Sequence, residues 1–438
     1  LIVPAGDAGA LAARLAAARS GAGPLPSAEA CRAFAERHSW AAVAERHRRL
    51  YAEVAAPDRP IRVVVVDHTA QPSGAELSLL RFVEHLPGVE AHVILGADGP
   101  LAGLLRDAGV PVEVLPMDEG ARGLSKDDLR AGRVPLASVR STAAYVRRLA
   151  RRIRELRPDL VHTNSMKAHL YGGAAARLAG VPVVWHVHDR VAGDYLPAGA
   201  VRVVRGLSRV LPKAAIANSR ATAATLPDGV PTVVVHEPLP ATGPDAVPTD
   251  RDGTFRVGIV GRLSPWKGQD LFLRAFAAAF PPGTPAVEAA IIGGALFGED
   301  DVEAGLRAIA ADLGIADRVD FRGFREDVAV ELGRLDVLVH ASVIPEPFGM
   351  VVVEGMAAGL PVVAAGAAGP TEVITDHVDG VLYPMNDEAA LAAALRELHG
   401  DPDLRRRLGE AGRARAEAFR PQVLAAGIRE AYRIAVGR

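Results

Sequence analysis

The 438-residue chain has a single cysteine, Cys31, so it can form no internal disulfide and no cysteine-based zinc site. That scarcity fits a reducing compartment, and the expectation is a cytoplasmic protein. No apolar run reaches the ~18–20 residues that a membrane-spanning helix needs. No signal-peptide pattern is visible, and the first residue is Leu1 rather than methionine, so the natural N-terminus is expected further upstream. The sequence has no obvious D-x-D triplet and no His/Cys ligand cluster, so no metal site is expected. It also lacks the interleaved aromatic and basic residues of nucleic-acid modules, which excludes nucleic acid as a partner. A large net charge is missing as well: the total is −2.

What is present is ordinary globular composition, 49% hydrophobic and 23% charged, which excludes wholesale disorder. The small net charge hides an asymmetry. Residues 61–235 carry net +6, residues 236–438 net −10. A basic half joined to an acidic half suggests two domains with different partners.

From residue 61, short β-branched runs alternate with amphipathic stretches. IRVVVV (61–66), AHVIL (91–95), VEVL (112–115), DLVHT (159–163), VVWHV (183–187), AAIA (214–217) and TVVVH (232–236) read as buried parallel strands. Stretches such as 74–86 and 136–157 read as crossover helices. The proline-rich segment 237–253 reads as a linker. The rhythm then restarts with FRVGIV (255–260), EAAIIG (288–293), VDFRG (319–323), DVLVHA (336–341) and PVVAA (361–365). The prediction is α/β, two Rossmann-like doubly wound parallel-sheet domains facing each other across a cleft. Domain one spans 57–236 and domain two 254–415, with a C-terminal helix in 416–438 expected to cross back to the first domain.

The opening residues repeat the end of the chain. LIVPAGDAGALAARL (1–15) matches VLYPMNDEAALAAAL (381–395) at seven of fifteen positions, and 35–51 aligns with 416–432. The shared order of strand, proline, aspartate, helix and terminal helix reads as an internal repeat. Residues 1–56 are therefore expected to be the C-terminal remnant of an upstream copy of the second domain.

Two stretches carry chemistry. In PEPFGMVVVEGMAAGLPVVAA (345–365), Glu346 and Glu354 are separated by seven residues. Gly349 permits close backbone approach at a helix start, where unpaired N–H groups and the helix dipole suit a phosphate. Glu354, further into the helix, could accept hydrogen bonds from sugar hydroxyls. Taken alone, the pair also reads as a capping and a solvated glutamate. In VGRLSPWKGQDLFLRAF (260–276), Arg262 and Lys267 follow a strand and suit a diphosphate, although a solvated loop with two cations reads equally well in isolation.

Together these stretches resemble the family 4 glycosyltransferases, retaining enzymes of the GT-B fold. The residues that carry the resemblance are G-R-L-x-x-x-K-G (261–268), P-E-P-F-G (345–349) and the Glu346/Glu354 pair. A-A-G-x-P-V-V (357–363) and G-P-T-E (369–372) add to it, and it runs over residues 61–438. The resemblance implies that Arg262 and Lys267 hold the diphosphate of a nucleoside-diphosphate sugar and Glu354 its ribose. It implies that Glu346 contacts the donor sugar, with Phe348, Gly349 and Met350 presenting backbone N–H groups. In such enzymes the leaving phosphate takes the acceptor proton, so no metal, cofactor or protein nucleophile is implied.

In domain one, residues 69–82 resemble the family's G-G-x-E loop, with Ser73 in place of the first glycine and Gly74 left to approach the phosphate. His188, at the end of VVWHVHD (183–189), matches the family's strand-end histidine at the donor sugar, and Asp189 is placed to orient it. His186, two residues back on the same side, remains the alternative. Asn164, Ser165, Asn218 and Ser219 follow strands and, with Asp189, are expected to line the acceptor side, unless Ser165 and Ser219 simply cap helices. The nucleobase is expected near Arg325 and Asp327.

The implied partners are a nucleotide sugar and a glycan or lipid-linked acceptor, in cell-surface polysaccharide or glycolipid synthesis. The oligomeric state is left open. Arginines along 140–157 suggest peripheral contact with the inner face of a membrane, although the apolar stripe of the same helix could equally pack on its own sheet. Another enzyme on the same fold, an epimerase or phosphorylase, and a non-catalytic sugar-nucleotide-binding module are the alternatives.

Overall fold

Two parallel sheets follow from the two series of β-branched runs. The computed structural model describes residues 59–117, 136–240, 253–295 and 301–437, with isolated positions upstream. The chain divides into two units, Leu1–Pro60 and Ile61–Arg438, and both sheets belong to the second. The expected remnant at 1–56 lies outside the described residues, apart from those isolated positions.

The first sheet holds β1 (Ile61–Asp67), β2 (Val89–Leu95), β3 (Val112–Val114), β4 (Leu160–Thr163), β5 (Val183–Val187), β6 (Ala214–Ala217) and β7 (Thr232–Val234), in the order β3-β2-β1-β4-β5-β6-β7. Its helices are α1 (Gly74–Val83), α2 (Pro100–Asp107), α3 (Leu136–Leu156), α4 (Met166–Ala179), α5 (Ala198–Ser208) and the short α6 (Arg220–Ala223). The second sheet holds β8 (Phe255–Val260), β9 (Val287–Ile292), β10 (Val319–Gly323), β11 (Val337–His340), β12 (Val362–Ala365) and β13 (Val381–Tyr383), in the order β10-β9-β8-β11-β12-β13. With it go α7 (Gln269–Ala279), α8 (Asp301–Asp312), α9 (Val328–Gly333), α10 (Met350–Ala357), α11 (Pro370–Val373), α12 (Glu388–Gly400) and α13 (Pro402–Ala416). The last helix, α14, spans Pro421–Val436.

Both sheets reverse their strand order at one place. In the first, β1 pairs with β2 on one side (Val65 opposite Val93) and β4 on the other (Val65 opposite His162). In the second, β8 pairs with β9 and with β11 (Val257 opposite Val337). Crossovers diverge at such a point and open a crevice at the carboxyl ends of the strands.

Alternation along β1 sends Val64 and Val66 to one face and Val63 and Val65 to the other. Val64 and Val66 pack with Leu149 and Ile153 of α3 and Ala175 of α4. Val63 and Val65 pack with Leu79 and Phe82 of α1 and with Ile428 and Tyr432 of α14. Thus α14, last in sequence, lies on the first sheet. Its Gly427 faces Val235, whose side chain a Cβ would approach to 2.7 Å.

The apolar stripe of α3 is spent on its own sheet: Val146, Leu149, Ala150 and Ile153 are buried. Arg140, Arg147, Arg151 and Arg154 remain exposed, while Arg152 is held by Glu113 at 2.9 Å. Among the described residues no helix is long and apolar enough to cross a membrane.

Candidate active site

At the first switch point the ends of β1 and β4 meet. Asp67 closes β1 and is buried, accepting from Asn164 Nδ2 (2.9 Å) and Ser165 Oγ (2.9 Å). Burial alone would raise its carboxyl, but His68, Asn164 and Ser165 together bring it below its ordinary value. Ser165 stands at the N-cap of α4 without capping it, because its hydroxyl is engaged with Asp67 and with His68 Nδ1 (2.7 Å). Glu76, in the first turn of α1, accepts from the Ser73 hydroxyl. Burial and the charge of Asp67 push its carboxyl up.

His188 follows β5 and lies between two acceptors. Its Nδ1 is 2.7 Å from Glu237 Oε1 and its Nε2 3.1 Å from Asn164 Oδ1. Asn218, after β6, donates to the His188 carbonyl (2.7 Å) and to Glu237 Oε1 (3.0 Å). Asn164 and Asn218 therefore support His188. His186 is core: its ring centroid lies 4.1 Å from that of His188, and burial drives its pKa well down. Behind it His162, brought down to about 3 by burial, bonds the Tyr432 hydroxyl of α14 at 2.8 Å.

Asp189 does not orient His188. It accepts from the Tyr195 hydroxyl at 2.7 Å, and Glu237 takes the imidazole instead. Successive residues of an extended chain point to opposite sides, so sequence adjacency works against an Asp189–His188 bond. The stretch read as linker thus begins inside the site: Glu237, Pro238 and Leu239 are buried, while 241–252 lie outside the described residues.

At the second switch point, Arg262 follows β8 and Lys267 ends a 3-10 turn before α7. Gly268 has a φ of 70°, and a Cβ there would lie 2.0 Å from the Ala341 carbonyl oxygen, so α7 starts tight against the end of β11. Lys267 Nζ lies 2.9 Å from both carboxylate oxygens of Glu346 and 4.1 Å from the Trp266 ring centroid. Glu346 also accepts from Ser342 Oγ (2.6 Å) and lies 3.4 Å from His340 Nε2. Burial works to raise the Glu346 carboxyl, but Lys267, His340 and Ser342 overcome it and hold the group well below the usual carboxylate range.

Gly349 caps α10 with a φ of 93°, a left-handed conformation that glycine adopts without strain. Phe348 is buried and stacks on His236, with centroids 5.4 Å apart, so only its backbone can serve a ligand. Met350 meets Gly74 across the cleft: a Cβ on Gly74 would sit 3.4 Å from the Met350 sulfur. Glu354 pairs with Arg81 of α1 at 3.5 Å, and Arg81 also donates to the Pro238 carbonyl at 2.8 Å. Burial raises the Glu354 carboxyl against the pull of Arg81. Arg81, Glu237, Phe348, Met350 and Glu354 line one narrow crevice between the domains.

Further contacts join the domains beside the loop at 345–349. Ser219 caps α6 by accepting from Thr222 N (2.9 Å) and donates to the Pro347 carbonyl (2.6 Å). Glu372 of α11 accepts from the backbone N–H groups of Arg220 and Ala221, each at 2.9 Å. Near the expected nucleobase region, Asp327 caps α9 and Arg325 lies 3.6 Å from Glu331. Among the described residues no group of three or more His, Cys, Asp or Glu is set to hold a metal ion.

Glu237, Asp67, Arg81, His340 and Tyr195 join the site without being singled out by sequence reasoning, and Glu76 is covered only as the last letter of the G-G-x-E resemblance. For Asp67 and His340 a usable signal existed, a polar residue closing a buried strand. For Glu237 the surrounding prolines masked it.

Two Rossmann-like sheets with a polar cleft at their facing switch points are the GT-B arrangement of sugar-nucleotide enzymes. The family model "Glycosyltransferase Family 4" matches residues 72–239 and "Glycosyl transferases group 1" matches 246–415. The D-inositol 3-phosphate glycosyltransferase of Streptomyces scabiei is 33% identical over 309 residues, which covers 64% of this chain and 68% of the relative. That of Salinispora arenicola is 31% identical over 387 residues, covering 81% and 80%. Among solved structures, Anabaena HepE in complex with UDP and glucose superposes with a TM-score of 0.72 at 30% identity, covering 84% of this chain and 98% of HepE. The chain belongs to glycosyltransferase family 4.

Proposed function

We propose that this protein transfers a sugar, with retention and without a metal, from a UDP-sugar to a hydroxyl of a glycan or lipid-linked acceptor. The observation that carries the reading is the convergence at the second switch point. Lys267 and Arg262, the N-terminus of α10 behind Gly349, and the anionic Glu346 all belong to the loops that close β8 and β11. Cations and unpaired N–H groups there suit a departing diphosphate, whose stabilisation is the main demand of such a transfer. UDP is favoured as the nucleotide because HepE, which shares the whole two-domain arrangement, binds UDP and UDP-glucose.

Retention is supported at His188. Both of its ring nitrogens face hydrogen-bond acceptors, so neither offers a lone pair to take the acceptor proton. In this reading the departing phosphate is the base. Donor binding would draw Lys267 from Glu346 toward the phosphates and free the carboxylate for sugar hydroxyls. Glu354, released from Arg81, would meet the ribose. Membrane contact, where the acceptor is lipid-linked, would be electrostatic, through the exposed arginines of α3.

The test is turnover of UDP-, GDP- and ADP-sugars with and without EDTA, on an acceptor panel that includes inositol 3-phosphate. An α-linked product from an α-linked UDP-sugar in EDTA is expected. A β-linked product, or transfer that needs added metal, would refute the reading.

A further inference from the structure

The hydrogen bonds around His188 fix more than its orientation. Asn164 Nδ2 lies 2.9 Å from Asp67 Oδ2 and 3.0 Å from the Ala75 carbonyl oxygen. Both are acceptors, so this end of the amide is the NH2 and the other end, Oδ1, faces His188. An amide oxygen at 3.1 Å requires that His188 Nε2 carry a proton. On the other side of the ring, Glu237 Oε1 sits 2.7 Å from Nδ1 and also receives Asn218 Nδ2 at 3.0 Å. A carboxylate oxygen accepting two donors requires that Nδ1 carry a proton as well. Beside an ionised Glu237, whose carboxyl is held below its ordinary value, a neutral imidazole cannot satisfy both neighbours, since one ring nitrogen would present a lone pair to an oxygen.

We propose that Glu237 is a positioning residue that holds His188 as an imidazolium, with its Nε2–H aimed at an oxygen of the bound donor. The proposal rests on the reading that places His188 beside the donor sugar.

The surrounding charges agree. On β5 His186 is neutral, on β4 His162 is neutral, and on α4 His169 is likewise, all three depressed by burial, so none competes for the charge. The acids that face His188 come from several elements: Glu237 after β7, Asp189 beside it, Glu76 from α1, and Asp67 of β1 through Asn164. Burial alone would lower the His188 pKa, but Glu237 reverses this and raises it. The same contact holds the Glu237 carboxyl below its ordinary value despite burial. Asp189 is not the partner, being engaged by Tyr195. When a donor oxygen enters the cleft, it can take the Nε2–H from Asn164. The bond it receives is charge-assisted and about twice as strong as one from a neutral ring.

The test uses the full chain with 15N-labelled histidine rings and His188 assigned by its absence in His188→Gln. In the wild type both His188 nitrogens should be protonated from about pH 6 to about pH 8, where an isolated histidine loses its second proton. In Glu237→Gln the second proton should be lost within that range. Transfer should fall roughly tenfold in kcat with little change in donor KM. Glu237→Asp should recover part of both. A neutral His188 in the wild type at about pH 7 overturns the proposal without any variant, so a misfolded Glu237→Gln does not protect it. Retention of the second proton, or unchanged kcat, in a folded Glu237→Gln also overturns it. Failure of the wider reading looks different: the wild type would then transfer from no UDP-sugar, whatever the ring nitrogens report.

Discussion

Replacing Glu346 by glutamine removes one charge and little volume, so it tests the Lys267–Glu346 pair directly. The two side chains are 11% and 21% exposed, and each Nζ–O distance is 2.9 Å. A hydrogen bond to a charged group contributes about 1.5–3 kcal/mol net. Breaking a fully buried pair costs about 3–5 kcal/mol because it strands the partner. Lys267 would not be stranded, since it rests on the Trp266 ring at 4.1 Å, a contact of about 0.5–1 kcal/mol. The expected loss for Glu346→Gln is therefore about 2 kcal/mol. In a double-mutant cycle with Lys267→Met, read by urea unfolding near neutrality, the coupling should be about 1.5–2.5 kcal/mol. Additive losses, with coupling under about 0.5 kcal/mol, would refute the reasoning.

The pH dependence follows from the sign of the shift. The folded pKa of Glu346 is depressed, so its stabilisation is complete above its unfolded pKa and fades as pH falls through the folded value. The gap between wild type and Glu346→Gln should hold steady above about pH 5.5 and shrink on acidification; a gap that widens would contradict the assignment. Function should split. UDP binding by Glu346→Gln should hold or tighten, because Lys267 is released. Transfer should drop by roughly 10–100-fold for loss of a charged hydrogen bond to the sugar.

Other outcomes follow from the same geometry. Gly349→Ala forces a side chain onto a φ of 93° and should cost about 1–2 kcal/mol, with a smaller UDP-induced rise in melting temperature. Glu372→Ala removes the acceptor of two backbone N–H groups across the cleft. It should raise donor KM and the radius of gyration measured by X-ray scattering; an unchanged radius would show that the contact does not hold the domains. Tyr432→Phe leaves buried His162 Nδ1 without its hydroxyl and should cost about 1–3 kcal/mol, with faster amide exchange in β4 and β5. Asp189→Asn should lower the His188 ring titration less than Glu237→Gln does, since Asp189 acts on the ring through its charge alone while its carboxylate is held by Tyr195.

The sheets were legible because buried parallel strands are written as continuous apolar runs: VVWHV and FRVGIV coincide with β5 and β8. VLY, the three-residue β13, is too short to stand out and is visible only through the repeat comparison. Lys267 and Glu346 were legible separately, each within one strand-to-helix connection. Their direct pairing was not, because it depends on β8 and β11 being neighbours across the switch point. Glu237 reads as linker by composition. Its role depends on β5, β6 and β7 lying side by side, which brings a residue 49 positions away to His188. For Ser165 the capping expectation missed the outcome: it occupies an N-cap position while its hydroxyl goes to Asp67.

The position of α14 sets an order on synthesis. Ala425, Ile428, Ala431 and Tyr432 complete the apolar layer over Val184, Ile216 and Val235, which are made some 200 residues earlier. As the chain leaves the ribosome, the first sheet therefore waits with one flank bare while the second sheet can close around its own helices. The domain made first is finished last. A premature stop before α14 would leave the apolar layer of the first domain incomplete, and the nascent first domain is the part that most needs shelter from aggregation until α14 has been made.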